Sequence, residues 1–199
     1  MKKLVFFIFL IVIGVVGMVI GGNFGKDSQQ HSEKKQSANR ITVTPKISEQ
    51  QIGVPQLFQI PKLTLKAHIE SVGMDTQGRM ATPKDADNVA WYNLGNKPGK
   101  PGNAVIAGHF DKASGAPAVF WNLDKLVVGD RVVVTDDNGK DITFAVVRKV
   151  KYPYNDFPLQ EVFGSSTESL LNLITCQGGW NNTTKNYSHR LVVYAKRVE

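Results

Sequence analysis

Apolar and polar residues alternate in short runs over most of the chain beyond about residue 58, and this is the pattern of β-strands. The turn signal Asp137-Asn138-Gly139 separates two β-branched runs and predicts a hairpin. Helical patterns are limited to residues 116–126, which Pro117 opens, and to a stretch from Ser165 with capping-box spacing. Many short strands with little helix predict an all-β barrel or sandwich. The strand-like runs are residues 60–73, 103–109, the two arms of 129–152, 170–176 and 190–198.

The amino terminus has a different pattern, because residues 4–20 contain no charged or strongly polar side chain. This run exceeds the roughly 7–15 apolar residues of a secretory signal, no A-x-A cleavage site follows it, and its length suits a spanning helix. We predict an uncleaved signal-anchor over residues 1–24, with a cleaved signal as the alternative. Lys2 and Lys3 place the amino terminus in the cytoplasm. The protein is then a single-pass membrane protein with its carboxyl part extracellular.

Residues 25–57 are polar, mixed in charge and poor in aromatic residues, which predicts a flexible linker. Residues 58–199 form the predicted folded domain. The formal net charge is +7, but the basic residues are scattered along the chain. A basic surface of this kind suits work near anionic membranes or wall polymers, and no recognised nucleic-acid module is present. We therefore predict no nucleic-acid partner.

The chain has one cysteine, Cys176, at the end of a strand-like run. An oxidising compartment favours paired cysteines, so a single thiol there indicates either a reactive group or a small buried hydrophobe. The next strand opens with Arg190, after thirteen residues, 177–189, that we interpret as a long loop. Antiparallel pairing of the two strands would place Cys176 and Arg190 near each other at one end of the sheet.

His109 also ends a strand, and together with Cys176 and Arg190 it provides the residue types that acyl transfer uses. A thiolate is a good nucleophile, an imidazole can serve as base and then as acid, and an arginine can donate hydrogen bonds to an oxyanion. Taken singly, each residue has a plainer interpretation. Cys176 would be core filler, Arg190 a surface residue, and His109 structural or functional with equal weight.

The combination resembles the sortases, which are membrane-anchored cysteine transpeptidases of Gram-positive and related bacteria. The resemblance rests on GNAVIAGHFD, LITCQGGW and HRLVVYA in this order, supported by IPKL, GRMATP, PGKPGN and FWNLDKL, and it covers about residues 58–198. The C-terminal part is most similar to class F, with classes D and E as alternatives. Asn172 stands where the family more often has threonine, whereas Thr175 is retained.

The resemblance implies an eight-stranded β-barrel and a reaction at the three residues named above. Cys176 would attack the Thr–Gly bond of an L-P-x-T-G-like sorting signal and form a thioester. His109 would protonate the leaving group, Arg190 would stabilise the carbonyl oxygen, and Thr175 would help to hold the substrate. An amine of a peptidoglycan precursor would then resolve the thioester, so the implied partners are surface proteins with sorting signals and this amine. The resemblance implies no cofactor and no metal, and it leaves calcium dependence open.

Four other functions are alternatives to this one. L,D-transpeptidases have a histidine close before the cysteine, and papain-like hydrolases have the cysteine upstream of the histidine. This chain has neither arrangement. A metal site from His68, His109, His189 and Cys176 lacks closely spaced ligand pairs, and we interpret His189 as a loop or surface residue. The non-enzymatic alternative is an anchored β-barrel that binds a wall component.

Overall fold

The computed structural model describes residues 51–198, and their eight strands close into one barrel. The order around the barrel is β1-β2-β3-β4-β7-β8-β6-β5, with β2–β3 and β4–β7 parallel and the other neighbours antiparallel. The strands are β1 Pro55–Ile60, β2 Leu65–Val72, β3 Val89–Tyr92, β4 Gly102–Gly108, β5 Arg131–Asp136, β6 Asp141–Pro153, β7 Ser169–Asn181 and β8 Asn186–Arg197. One α-helix, α1 Leu159–Phe163, and the 3₁₀ turns Pro61–Leu63 and Leu123–Lys125 complete the described elements.

The prediction of an all-β, eight-stranded barrel with few helices is confirmed. The predicted signal-anchor and most of the predicted linker lie outside the described residues. Within residues 51–198, no helix has the length and apolar character that crossing a membrane requires.

The barrel interior is filled by apolar side chains that alternate along each strand, as expected for a sheet with one face on a core. Phe58 and Phe120 meet edge to face there, with their ring centroids 5.6 Å apart. The largest fully buried members of this core are Phe58, Phe120, Phe144, Ile60, Ile106, Leu123, Leu126, Leu171 and Leu173.

A second apolar cluster lies on the outer face of β4, β7 and β8. Val105, Ile174 and Val192 are buried there together with Val162 of α1. Asn172 fastens the helix to this face, since its side-chain NH₂ donates to Asn103 Oδ1 at 2.9 Å and to the Val162 carbonyl at 2.8 Å. The connection between β6 and β7 therefore packs on the outside of the barrel rather than projecting from it.

The predicted hairpin is confirmed as β5–β6, with Gly139 at φ 75° in its turn. The long loop predicted over residues 177–189 is wrong, because β7 and β8 extend through it and pair as far as Asn181 and Asn186. Gly178, at φ 90°, provides the irregularity in the ladder that lets these arms continue. The two strands and a short turn thus form one long β7–β8 hairpin.

Both predicted helices are also wrong. Within residues 116–126 only Leu123–Lys125 is helical, as a 3₁₀ turn. The Ala118 and Phe120 amides donate to the carbonyls of Phe110 and His109, which keeps the preceding residues out of a helix. The stretch from Ser165 is irregular before β7, and the helix lies just ahead of it. The Ser166 hydroxyl accepts from the Glu168 amide at 3.1 Å, a local turn that uses the same residue types as a helix cap.

The barrel begins ahead of the predicted boundary at residue 58, because β1 starts at Pro55 and Ile52 is already buried in the core. The Gly53 amide donates to Asp136 Oδ2 and the Val54 amide to Asp137 Oδ1, both at 2.9 Å. Residues 52–54 are therefore part of the folded domain, fastened to the β5–β6 turn.

Candidate active site

Side-chain alternation places the candidate residues on the outer face of the barrel. Leu173 of β7 and Leu191 of β8 point into the core, so Cys176 and Arg190 point outwards with Ile174 and Val192. Cys176 and Arg190 are direct partners across the antiparallel β7–β8 ladder, which confirms the predicted proximity of these two strand ends.

His109 reaches the same end of the barrel through a different strand pair. β4 runs parallel to β7 with Ala107 opposite Ile174, so His109 follows the end of β4 just as Cys176 continues β7. The Thr175 hydroxyl donates to the Gly108 carbonyl at 2.9 Å and joins the two strands at this point. A Cβ on Gly108 would lie 2.6 Å from the Phe120 ring, so this position requires glycine for packing.

The imidazole of His109 is held by the connection between β2 and β3. Its Nε2 lies 3.0 Å from the carbonyl oxygen of the buried Pro83. A carbonyl can only accept, so Nε2 carries a proton in this arrangement and, in a neutral ring, Nδ1 is the free base. Within residues 51–198 no hydrogen bond joins this ring to the sulfur of Cys176, and Pro83 sets the orientation of the imidazole.

The guanidinium of Arg190 is held by its own hairpin. Nη2 donates to Asn186 Oδ1 at 2.7 Å, and Nη1 donates to the His189 carbonyl at 3.0 Å and the Tyr187 carbonyl at 3.4 Å. A guanidinium has five N–H donors, so these contacts leave donors over for a ligand while they fix the plane of the group.

The thiol of Cys176 is unpaired and partly exposed. Burial raises its pKa above the usual thiol value, the positive charge of Arg190 lowers it, and the carboxylate of Asp111 raises it. Burial prevails, so the resting sulfur is a neutral thiol at neutral pH. A base must therefore remove its proton before it can attack a carbonyl.

Thr175 is 3% exposed, and its hydroxyl proton is used in the bond to Gly108. In the structure it ties the cysteine strand to the histidine strand, and its role towards a substrate stays a prediction. His189 lies within β8 and not in a loop, with Nδ1 2.8 Å from the hydroxyl oxygen of Ser188. Among residues 51–198, no group of three or more His, Cys, Asp or Glu side chains is placed to hold a metal ion.

Several residues beside the site were missed from the sequence. Asn186 orients Arg190, and the Tyr187 hydroxyl donates to Asp111 Oδ2, which raises the pKa of that tyrosine to about 12. Asp111 lies two residues beyond His109, so its neighbourhood was visible in the sequence. Asn186 and Tyr187 were not predicted, because residues 177–189 were interpreted as a loop.

Comparison with known proteins settles which family has this arrangement. The family model described as Sortase domain matches residues 58–198. The chain belongs to the sortase family. No curated protein sequence matches it. Sortases are cysteine transpeptidases, and membership supports an enzyme rather than a binding module that lacks catalysis.

Solved sortase structures share the fold at low sequence identity. Sortase C1 from Streptococcus agalactiae superposes with a TM-score of 0.57 at 22% identity, over 72% of this chain and 67% of that one. Sortase A from Corynebacterium diphtheriae gives 0.55 at 22%, over 75% and 62%. The Clostridium perfringens sortase D5 transpeptidase gives 0.55 at 21%, over 74% and 79%. The closer likeness of this sortase to class F stays a prediction.

Proposed function

We propose that this sortase cleaves an L-P-x-T-G-like sorting signal between Thr and Gly and transfers the acyl part to an amine of a cell-wall precursor. The observation that carries the proposal is the pairing of Cys176 with Arg190 on the outer face, beside the end of the strand that leads to His109. Nucleophile, proton carrier and oxyanion donor are the three groups that acyl transfer requires.

In the first half-reaction the Cys176 thiol loses its proton to the His109 imidazole and the sulfur attacks the Thr carbonyl. Negative charge then develops on the carbonyl oxygen, where the remaining N–H donors of Arg190 stabilise it. The C–N bond breaks, the leaving Gly nitrogen takes the proton from His109, and a thioester remains on Cys176. The high thiol pKa makes the imidazole necessary, since little thiolate is present without it.

The outer apolar cluster supports the choice of an apolar signal. Ile174 and Val192 lead along β7 and β8 towards Cys176 and Arg190, and Met80, Phe157 and Phe163 pack at the margin of the same cluster. A peptide with Leu and Pro ahead of the scissile bond would contact the partly buried margin of this cluster, with its Thr carbonyl at the sulfur. Thr175, beneath this path, would support the bound peptide through the strand it holds.

The apolar run at the amino terminus supports a proposal for the location of the enzyme. We propose that residues 1–24 anchor the enzyme in the cell membrane, with the amino terminus cytoplasmic and the barrel outside, where sorting signals meet the wall precursor. Protease added to intact cells should digest the barrel while leaving a short membrane-protected fragment. Protection of the whole barrel would contradict this orientation.

The test of the reaction is cleavage of a labelled L-P-x-T-G-type peptide, read by mass spectrometry with and without added amine. Cys176→Ala and His109→Ala should lose turnover while keeping the thermal unfolding midpoint close to that of the unaltered enzyme. His68→Ala is the matched control, because His68 is an exposed histidine on β2. Turnover by Cys176→Ala would rule out a thioester mechanism, and failure of the unaltered enzyme to cleave any such peptide would rule out the proposed substrate class.

A further inference from the structure

Four aromatic rings form a continuous row beside the active site. Phe110 stacks on Trp121 with centroids 4.4 Å apart and meets Tyr187 edge to face at 5.7 Å. Tyr187 in turn meets Trp180 edge to face at 5.2 Å. The row joins the segment after His109 to both arms of the β7–β8 hairpin. Its two ends, Trp121 at 38% and Trp180 at 51% exposed, are open to solvent.

A carboxylate lies in the middle of this row. Asp111 follows Phe110 in the chain and accepts the hydroxyl hydrogen of Tyr187. The neighbouring cation does not neutralise it, because Lys112 pairs with Asp87 at 2.7 Å. Asp111 is close enough to the sulfur for its charge to act on Cys176. A negative charge among aromatic rings therefore lies within electrostatic reach of the nucleophile.

This combination is suited to a primary ammonium group. The faces of Trp and Tyr rings attract cations, and a carboxylate supplies the opposite charge and a hydrogen-bond acceptor. The competing cation, Arg190, is held by Asn186 and by carbonyls of its own hairpin. The exposed rings leave room for the aliphatic chain that carries an amine.

We propose that Asp111 and the ring row, from Trp121 to Trp180, bind the incoming amine as its ammonium form next to the thioester on Cys176. The inference rests on the proposed transpeptidation. The bound ammonium releases one proton to water, and the free amine attacks the thioester carbonyl. The new C–N bond forms as the C–S bond breaks, and the second amine proton passes through the His109 imidazole to the sulfur. The acceptor class is therefore an aliphatic primary amine that is cationic at neutral pH.

The experiment compares two acceptors in the transfer step, with an L-P-x-T-G-type peptide as acyl donor at saturating concentration. One acceptor is an aliphatic amine, present as ammonium at neutral pH, and the other is hydroxylamine, which is uncharged there. The KM of each acceptor and the ratio of transfer to hydrolysis are measured. Asp111→Asn should raise the KM of the aliphatic amine about tenfold, equal to about 1.4 kcal/mol of binding, and change that of hydroxylamine less than about twofold.

Asp124→Asn is the matched control for charge, since it removes an exposed carboxylate of the Leu123–Lys125 turn, outside the ring row and away from the Lys112–Asp87 ion pair. Its KM for both acceptors should stay within about twofold of the unaltered value, because general attraction of cations is weak at physiological salt. Trp180→Ala should raise the KM of the aliphatic amine severalfold, and Trp180→Phe should restore most of the affinity. Trp180 is half exposed, so these variants keep the test available if Asp111→Asn folds poorly.

Equal changes for both acceptors in Asp111→Asn, or no change for either, would overturn the ammonium site. An effect of Asp124→Asn as large as that of Asp111→Asn would also overturn it, because bulk charge would then explain the result. These failures differ from failure of the proposed function, in which the unaltered enzyme would not cleave the donor peptide at all.

Discussion

Two hairpins of the barrel, β5–β6 and β7–β8, have the same antiparallel pairing but differ in how their polar groups are satisfied. The β5–β6 turn satisfies its own polar groups, since Asp136 accepts from the amides of Gly53, Asn138 and Lys140. The β7–β8 hairpin leaves a thiol, donors of Arg190 and two partly exposed aromatic rings on or beside its surface. The β5–β6 hairpin therefore stabilises the barrel, whereas the β7–β8 hairpin exposes the groups for which we propose a role in binding and converting the substrate.

The largest effect is expected from Arg190→Lys, which alters the β7–β8 hairpin at its proposed oxyanion donor. A lysine keeps the charge but cannot reproduce the planar set of donors that Asn186 orients, so turnover should fall about 100-fold or more. Peptide-cleavage kinetics measure the change. Arg79→Lys, at an exposed arginine paired with Asp75, is the control and should stay near the unaltered rate. A near-normal rate for Arg190→Lys would remove this residue from the oxyanion role.

Asp136→Ala alters the β5–β6 hairpin and should lower the free energy of unfolding without lowering the rate of turnover. Its loss leaves three amides without their acceptor, which should cost about 1–3 kcal/mol of unfolding free energy. The rate per folded molecule should stay within about twofold. Denaturant unfolding and active-site titration separate the two quantities, and Asp156→Ala, at an exposed turn residue, is the control. A stable variant with impaired turnover would contradict a mainly stabilising role for the β5–β6 hairpin.

The same carboxylate predicts a pH dependence of stability. Burial raises the pKa of Asp136, but the amides of Gly53, Lys140 and Asn138 outweigh burial and hold it below the usual carboxyl value. A lowered folded pKa means that this contribution is present above the ordinary value of about 4 and is lost as the pH falls through the folded value. Unfolding curves measured down to acid pH should show a smaller acid loss for Asp136→Asn than for the unaltered enzyme. Parallel curves would contradict the assignment.

Gly178→Ala tests whether the backbone conformation of the β7–β8 hairpin is needed for activity. Its φ of 90° is unfavourable for alanine, and a Cβ would lie 2.3 Å from the Ser188 hydroxyl oxygen. We expect a loss of about 1–2 kcal/mol with reduced turnover, because Arg190 is held by the arm that would shift. Gly179→Ala is a matched control, since a Cβ there meets nothing within 4 Å. Equal behaviour of the two variants would show that the Gly178 conformation does not set the site.

The smallest effect is a change in thiol reactivity. Removing the charge of Asp111 with Asn should lower the pKa of Cys176, and removing that of Arg190 with Gln should raise it, because the two charges act on the sulfur in opposite directions. The midpoint of iodoacetamide alkylation against pH measures both. Shifts in the same direction for the two variants would contradict the arrangement of charges around the thiol.

The sequence was informative where neighbours in the ladder are close in the chain. The pairing of Cys176 with Arg190 and the Asp137-Asn138-Gly139 turn follow from strand ends and turn chemistry. The extension of the β7–β8 hairpin did not follow, since Gly, Asn and Thr are typical of loops and the pairing of Trp180 with Tyr187 depends on tertiary packing. The bond from His109 to Pro83 depends on a crossover that no local pattern specifies.

The parallel contact between β4 and β7 has a consequence for how activity arises. Gly102 and Ser169 begin that ladder and are far apart in the chain. Bringing such distant segments together costs conformational entropy, so this contact is expected late in folding. The end of β4 that leads to His109 and the strand that carries Cys176 thus come together only when this sheet is assembled. A partly folded sortase that lacks this ladder would therefore have the thiol but no transpeptidase activity.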